Sequence, residues 1–150
     1  MNNTVIRPTG SPAGITDCTA AKVRRLARKV TQIYDEELAP HGLTVGQIGL
    51  LASLRRTEGV AIGMLADRLS ADASTVSRLL KPMLSAGYLA VDPDPEDGRT
   101  RLVRLTDTGY ERRRLAAAGW AAAQDKVRAA LGDGRLAALR FILDDAHQHL

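Results

Sequence analysis

The chain has a single cysteine, Cys18, among 150 residues. One thiol cannot form an intrachain disulfide, and it cannot supply a cysteine-rich zinc site, which fits a reducing compartment. The three histidines, His41, His147 and His149, do not form a recognisable metal-binding set. We therefore expect neither a metal site nor a cofactor.

Long hydrophobic runs are also lacking. No apolar stretch of the sequence approaches the ~18 residues that a membrane-spanning helix needs. Residues 1–14 carry one arginine and no hydrophobic stretch like that of a secretory signal. These features predict a cytoplasmic protein without a membrane segment.

Aromatic side chains make up only 3% of the residues, whereas hydrophobic residues, mainly Ala, Leu and Val, make up 45%. This composition favours helices and allows one sizeable core. The net charge is +4, and the sequence pI is near 9.6. A modestly basic balance makes nucleic-acid binding plausible, and the alternative, which net charge alone favours, is a well-solvated surface.

The beginning of the chain predicts an arm followed by a long helix. Residues 1–17 mix polar residues with Pro and Gly and have no apolar periodicity, so we expect a flexible N-terminal arm. From Thr19 to Ala39, apolar residues recur at the three-and-four spacing of one helical face. Pro40 and Gly42 then predict the end of this helix.

Two shorter helices are predicted next. Thr44 and Gln47 have the spacing of a capping box, and the apolar stripe behind them extends to about Arg56. A turn at Glu58 and Gly59 precedes a short helix over about residues 62–69.

A fourth helix and a hairpin follow. Asp72 is a good N-cap for the helix, and Gly87 is well placed to end it. Two β-prone runs, Tyr88 to Asp92 and Arg101 to Leu105, flank a polar loop rich in Pro, Asp and Gly.

The last part of the chain predicts two more helices. Thr106 can cap an Ala-rich helix that reaches about Leu131, and Gly132 and Gly134 should separate it from a final amphipathic helix. The order of elements predicts a mainly α fold with a small two- or three-stranded β-wing, a winged helix-turn-helix.

The fourth helix carries the candidate function. If its apolar positions face the core, steps of about 100° per residue place small hydroxyls and two cations on the opposite side. The positions on or beside that side are Ser74, Thr75, Ser77, Arg78 and Lys81. Such a face suits the DNA major groove, where small side chains allow close approach and Arg can donate to base edges. The alternative is an ordinary solvated helix face.

The hairpin loop adds a second candidate contact. Arg99 lies at its tip, with Arg101 and Arg104 behind it, and a cation on a projecting loop can enter a narrow minor groove. Asp97 could pair with Arg99 and fix its direction. The alternative is a solvated turn with a weak surface ion pair.

Several segments together resemble the MarR family of bacterial regulators, over residues 42–109. These are Gly42-Leu43-Thr44 with Gln47, Leu65-Ala66-Asp67-Arg68-Leu69, Ser74-Thr75-Val76-Ser77-Arg78-Leu79, Gly87-Tyr88-Leu89, Asp92-Pro93-Asp94-Pro95-Glu96-Asp97-Gly98-Arg99, and Leu105-Thr106 with Gly109. The resemblance implies a sequence-specific DNA-binding transcriptional regulator and not an enzyme. Most members of this family repress transcription, so the resemblance implies a repressor. It also implies that binding of a small phenolic or aromatic effector, or oxidation of a thiol, releases the protein from its operator.

The resemblance also implies an assembly. Residues 18–41 and 107–150 would form interlocking dimerisation helices, and residues 42–106 would form the DNA-binding lobe. The homodimer would bind a pseudo-palindromic operator in duplex DNA, and an effector pocket would lie between the dimerisation helices and the lobe. In this family the fourth-helix residues named above would occupy the major groove and Arg99 the minor groove, with Asp97 orienting Arg99.

Cys18 is a candidate redox sensor. It lies at the predicted start of the first helix, where the helix dipole favours a thiolate. In peroxide-sensing members a nearby cysteine is partnered by tyrosines. Tyr34 matches one of them, but Cys18 is offset by about two residues, and Val45 and Ile48 replace the others. A structural or incidental thiol is the alternative.

Two rival functions remain at the level of sequence. One is a winged-helix scaffold for protein interaction without specific DNA binding, in which the basic face is incidental. The other is a thiol enzyme built on Cys18, for which the sequence offers no histidine base nearby along the chain.

Overall fold

The computed structural model describes residues 18–150, so the predicted arm, residues 1–17, lies outside the described residues. The described elements are α1 (Thr19–Leu38), α2 (Val45–Ala52), β1 (Val60–Ala61), α3 (Ile62–Arg68), α4 (Ala73–Ser85), β2 (Leu89–Pro93), β3 (Arg101–Leu105), α5 (Asp107–Leu131) and α6 (Asp133–His149). No helix among residues 18–150 has the length and apolarity needed to cross a bilayer. The predicted order of helices and wing is confirmed.

The junction between α1 and α2 follows the predicted chemistry. A 3-10 turn, Ala39–His41, follows α1, and Gly42 ends it with a left-handed φ of 68°. The Thr44 hydroxyl accepts the backbone N–H of Gln47, and the Gln47 side chain accepts the backbone N–H of Thr44. The capping box predicted from the sequence is therefore confirmed.

Helix α2 ends at Ala52, whereas the sequence predicted an end near Arg56. The Arg113 guanidinium, on α5, donates to the carbonyls of Leu51 and Leu54 over 2.9 and 3.2 Å. These bonds satisfy carbonyl groups that a continuing helix would otherwise use, and Leu54 is free to turn into the core. The sequence pattern predicted a longer helix because Leu54, which fits the apolar stripe, is a core residue that lies beyond the end of α2.

The wing is a three-stranded antiparallel sheet in the order β1-β3-β2. The sequence predicted a turn before α3 and did not identify β1, in which Val60 pairs with Val103. A Cβ on Gly59 would lie 2.8 Å from the Cβ of Leu102, so the glycine permits this close pairing. Strand β2 is displaced by one residue from its predicted range.

Helices α5 and α6 form the end of the described chain. The Thr106 hydroxyl accepts the backbone N–H of Gly109, as expected of an N-cap. Gly132, with a φ of 73°, separates the two helices as predicted. The expectation that Gly134 also lies between the two helices was wrong, because this residue lies in the first turn of α6.

One apolar core joins α3 and the wing to the long helices. Leu38 of α1 and Ala116 of α5 belong to the same buried cluster as Leu65 and Val103. A Cβ on Gly109 would lie 2.0 Å from the carbonyl oxygen of Tyr88, so α5 packs directly on the backbone before β2. The wing and α4 are thereby held against the long helices.

Candidate nucleic-acid interface

Helix α4 has the two faces that its periodicity predicted. Val76, Leu80 and Met83 are buried, and Leu79 is half-buried. Ser74, Ser77, Arg78 and Lys81 are exposed, and Thr75 is half-buried. The structure therefore leaves the hydroxyl-and-cation face of α4 uncovered by the described part of the chain.

Asp72 organises the N-terminus of α4. One oxygen of its carboxylate accepts the backbone N–H of Thr75 and the hydroxyl of Ser74, each over 2.7 Å. The other oxygen accepts the Thr75 hydroxyl over 3.1 Å. The Ser74 hydrogen bond, followed by those from Thr75, lowers the pKa of Asp72 to about 2. Asp72 is therefore a carboxylate at neutral pH.

The two cations of the face differ in their surroundings. One terminal nitrogen of Arg78 donates to the Thr75 hydroxyl oxygen over 3.3 Å. Lys81 makes no ion pair within residues 18–150. Ser77 donates its hydroxyl to the carbonyl of Ala73 over 2.8 Å. The face thus combines one oriented cation and one that is unpaired in the described chain.

The wing loop is shaped by Asp97, although not as the sequence suggested. The Asp97 carboxylate accepts the backbone N–H of Arg99 over 3.1 Å and the Thr100 hydroxyl over 3.0 Å. It does not pair with the Arg99 guanidinium, which is exposed and makes no ion pair within residues 18–150. Asp97 is acceptor to the loop backbone because an Asx turn places its oxygen near the N–H two residues on.

The other wing arginines are not equivalent. Arg104 donates to the Asp92 carboxylate across the hairpin, over 3.0 and 3.3 Å. Arg101 begins β3 and is exposed, with no such partner among the described residues. Arg99 and Arg101 therefore carry the uncompensated positive charge of the wing.

Cys18 is the exposed N-cap residue of α1, as the sequence suggested. Tyr34 is half-buried on the same helix. At a rise of 1.5 Å per residue, the two positions are about 24 Å apart along α1. The thiol and this tyrosine therefore cannot touch within one chain.

A cavity of about 280 Å³ lies between α1, α5 and α6. Its wall is mostly apolar, and Arg140 donates to Gln124 at its polar side over 3.0 Å. Burial raises the pKa of Tyr34, which also lines it, while the charge of Arg140 opposes that rise. The resemblance implied a pocket nearer the DNA-binding lobe, whereas this cavity lies within the long helices.

Large apolar side chains are exposed on the same three helices. They include Val23, Leu26, Leu115, Trp120, Phe141, Ile142 and Leu143. Trp120 and Phe141 are 45% and 71% exposed. They are therefore not core residues of the single chain.

Sequence reasoning identified Asp72 only as a helix cap. Its bonds to the hydroxyls of Ser74 and Thr75, and the bond from Arg78 to Thr75, were not anticipated. The spacing of Asp72, Thr75 and Arg78 at successive intervals of three was the available signal, because such positions are neighbours on a helix surface. Nothing in the sequence signals the pairing of Arg140 with Gln124.

A sequence profile of the MarR family matches residues 41–100. The crystal structure of the transcriptional regulator MosR of M. tuberculosis in complex with DNA is 30% identical to this chain, with a TM-score of 0.73. The alignment covers 89% of this chain and 98% of that one. The chain belongs to the MarR family. It therefore has the winged helix-turn-helix fold of that family.

Two further proteins are similar to this chain. The transcriptional activatory protein BadR of Rhodopseudomonas palustris is 34% identical over 95 residues, which cover 61% of this chain and 51% of BadR. The chain spans 43 to 60% of the length of the curated relatives it matches. The PcaV regulator of Streptomyces coelicolor, solved with its natural ligand, is 22% identical and shares the fold, with a TM-score of 0.77 over 90% of this chain and 95% of PcaV.

Proposed function

We propose that this MarR-family chain is a homodimeric repressor that binds a pseudo-palindromic operator and is released by an effector. The DNA-binding lobe is residues 42–106, and the dimerisation region is residues 18–41 with 107–150. The major-groove residues are Ser74, Thr75, Ser77, Arg78 and Lys81. Arg99 enters the minor groove, Arg101 contacts the backbone beside it, and Asp97 shapes the loop that presents Arg99.

The observation that carries the proposal is the uncovered polar face of α4. Arg78 and Lys81 are exposed there, while Val76 on the other side is fully buried. A helix with small residues and cations on its outer side can approach base edges and phosphates together. The N-cap also supports this interface, because Asp72 fixes the residue at which α4 begins and therefore which side chains lie on its exposed face.

The exposed apolar side chains of α1, α5 and α6 support a homodimer. Phe141 and Ile142 are 71% and 59% exposed, and the exposure of several large apolar side chains on the same helices is typical of an interaction surface. A two-fold dimer presents two α4 helices and two wings to half-sites about one DNA turn, roughly 34 Å, apart.

Single arginine substitutions test the interface. Arg78→Ala and Arg99→Ala should each weaken operator binding by about 1 to 3 kcal/mol, and Arg78→Ala should also relax sequence preference. Arg104→Ala is the matched control, because Asp92 already compensates this arginine. Mobility shifts on an operator selected from random duplexes measure all three, and unchanged affinity in both test variants would remove the interface.

Salt dependence separates this function from an interaction scaffold. A protein that neutralises phosphates loses affinity steeply as salt rises, since counterions are released on binding. Retention on unrelated duplex DNA should therefore fall sharply between low and physiological salt. A scaffold would show no such retention at any salt concentration. Reporter expression from the operator, with and without the protein, distinguishes repression from the activation implied by BadR's name.

Two routes to release are compatible with the described residues. The mostly apolar cavity between the long helices supports a small aromatic or phenolic effector. The exposed Cys18 supports thiol oxidation. A compound screen for operator release tests the first route. Peroxide titration of the wild type and Cys18→Ser tests the second, and equal release by both proteins would exclude the thiol as trigger.

A further inference from the structure

We propose that Asp72 is a positioning residue that, through the Thr75 hydroxyl, fixes the direction from which Arg78 meets a base pair. The inference rests on the proposed DNA interface and adds a residue that need not touch DNA itself. Three consecutive contacts carry it: the Asp72 carboxylate to the Thr75 hydroxyl, the Thr75 hydroxyl oxygen to Arg78, and the Arg78 fork to the DNA.

The polarity of the first contact is fixed. The pKa of Asp72 is lowered to about 2, so at neutral pH its carboxylate can only accept hydrogen bonds. A hydroxyl has one hydrogen, and that of Thr75 is directed at the second carboxylate oxygen over 3.1 Å. The lone pairs of the Thr75 oxygen are therefore left for a donor.

Arg78 is that donor. One terminal nitrogen lies 3.3 Å from the Thr75 oxygen, on the neighbouring turn of α4. A guanidinium has five N–H donors in a rigid planar fork and no acceptor. Holding one nitrogen restricts the plane and direction of the rest, and a guanine offers two acceptors in the major groove for such a fork. Asp72 thereby determines base reading by Arg78 without a contact of its own.

Asp72→Asn separates this role from helix capping. Asparagine caps helices as well as aspartate does, and its amide oxygen can still accept the Thr75 backbone N–H. Its amide nitrogen donates, however, and cannot accept the Thr75 hydroxyl hydrogen. The substitution also removes a negative charge near the phosphates, so binding to an unrelated duplex should stay equal or tighten.

The experiment measures base discrimination by the full-length protein. Selection from random duplexes gives the operator, and the base pair whose preference Arg78→Ala loses is the one that Arg78 reads. The readout is the ratio of dissociation constants for the operator and for a duplex changed at that base pair. We expect Asp72→Asn and Thr75→Val each to lower this ratio about threefold to tenfold, with no further drop in the double variant.

Two comparisons exclude a structural explanation. Thr75→Ser keeps a hydroxyl and should retain a higher ratio than Thr75→Val. Thr44→Ala removes the cap of α2, far from Arg78 in the sequence, and should lower the melting temperature without moving the ratio.

The outcomes are distinct. An unchanged ratio in Asp72→Asn, additive losses in the double variant, or a ratio that falls equally in Thr44→Ala each overturn the positioning role while leaving the interface in place. An Arg78→Ala protein that keeps every base preference also overturns it. A wild-type protein that selects no sequence overturns both the positioning role and the proposed function.

Discussion

At the scale of single residues, the faces of α4 could be predicted but the side-chain partners could not. Periodicity assigned Val76 and Met83 to the core and Arg78 to the outside, because helix geometry alone fixes which side chains share a face. The partner of Asp97 depends on the loop conformation. Its carboxylate takes the backbone N–H of Arg99 instead of the guanidinium, a choice that spacing in sequence does not encode.

Asp72 should titrate far below an ordinary aspartate. Three donated hydrogen bonds favour its charged form and lower its pKa from 3.8 to about 2. Because the folded-state pKa is the lower one, the stabilisation is complete above about pH 4 and is lost as pH falls through about 2. The side-chain carboxyl carbon, followed by NMR, should give a midpoint near 2.

Ser74→Ala is the informative variant for that titration, since the Ser74 hydroxyl is the largest cause of the shift. The midpoint should move upward in this variant. A wild-type midpoint near 3.8 would show that the hydrogen bonds around Asp72 do not persist in solution.

At the scale of elements, the predictions failed where distant parts of the chain decide the outcome. Helix α2 ends early because Arg113, some sixty positions later, takes the carbonyls at its end. Strand β1 is two residues long and exists only through its pairing with β3. Neither feature has a local signal, whereas the caps at Thr44 and Thr106 are local and were predicted correctly.

The same substitution should have opposite effects in two helices. Gly109→Ala would place a methyl group 2.0 Å from the Tyr88 carbonyl oxygen, so we expect a loss of about 1 to 3 kcal/mol in the free energy of unfolding. Gly49→Ala, inside α2 with nothing within 4 Å of its Cβ, should gain up to about 1 kcal/mol from helix propensity.

Urea denaturation of both variants beside the wild type measures the two effects. If Gly109→Ala were as stable as Gly49→Ala, the direct packing of α5 on the backbone before β2 would be incorrect.

At the scale of the whole molecule, the sequence predicted the arrangement of the long helices through its resemblance to a family. It could not place the cavity, because side chains from three helices converge there and Arg140 meets Gln124 only after folding. The sequence also could not predict which apolar side chains of the long helices are exposed, since periodicity alone does not distinguish a core position from an intersubunit one. The homodimer remains a prediction.

Leu143→Asp tests that prediction. The side chain is 48% exposed on α6, and a charge there should be tolerated in one chain but costly in an apolar interface. We expect a shift from dimer to monomer in sedimentation velocity and a parallel loss of operator binding. Gln148→Asp adds the same charge at an already polar position of α6 and serves as the control. A Leu143→Asp protein that sediments as a dimer would refute the proposed interface.

The contact at Gly119 has a mechanical consequence. A Cβ there would lie 2.6 Å from the carbonyl oxygen of Glu37 and 2.8 Å from the ring of His41, so α5 meets the end of α1 with no side chain between them. Arg112 and Arg113 bind carbonyls at the ends of the 3-10 turn and α2. Because these contacts leave no free space between the elements, a tilt of α5 should also move α2, where the proposed DNA-binding lobe begins.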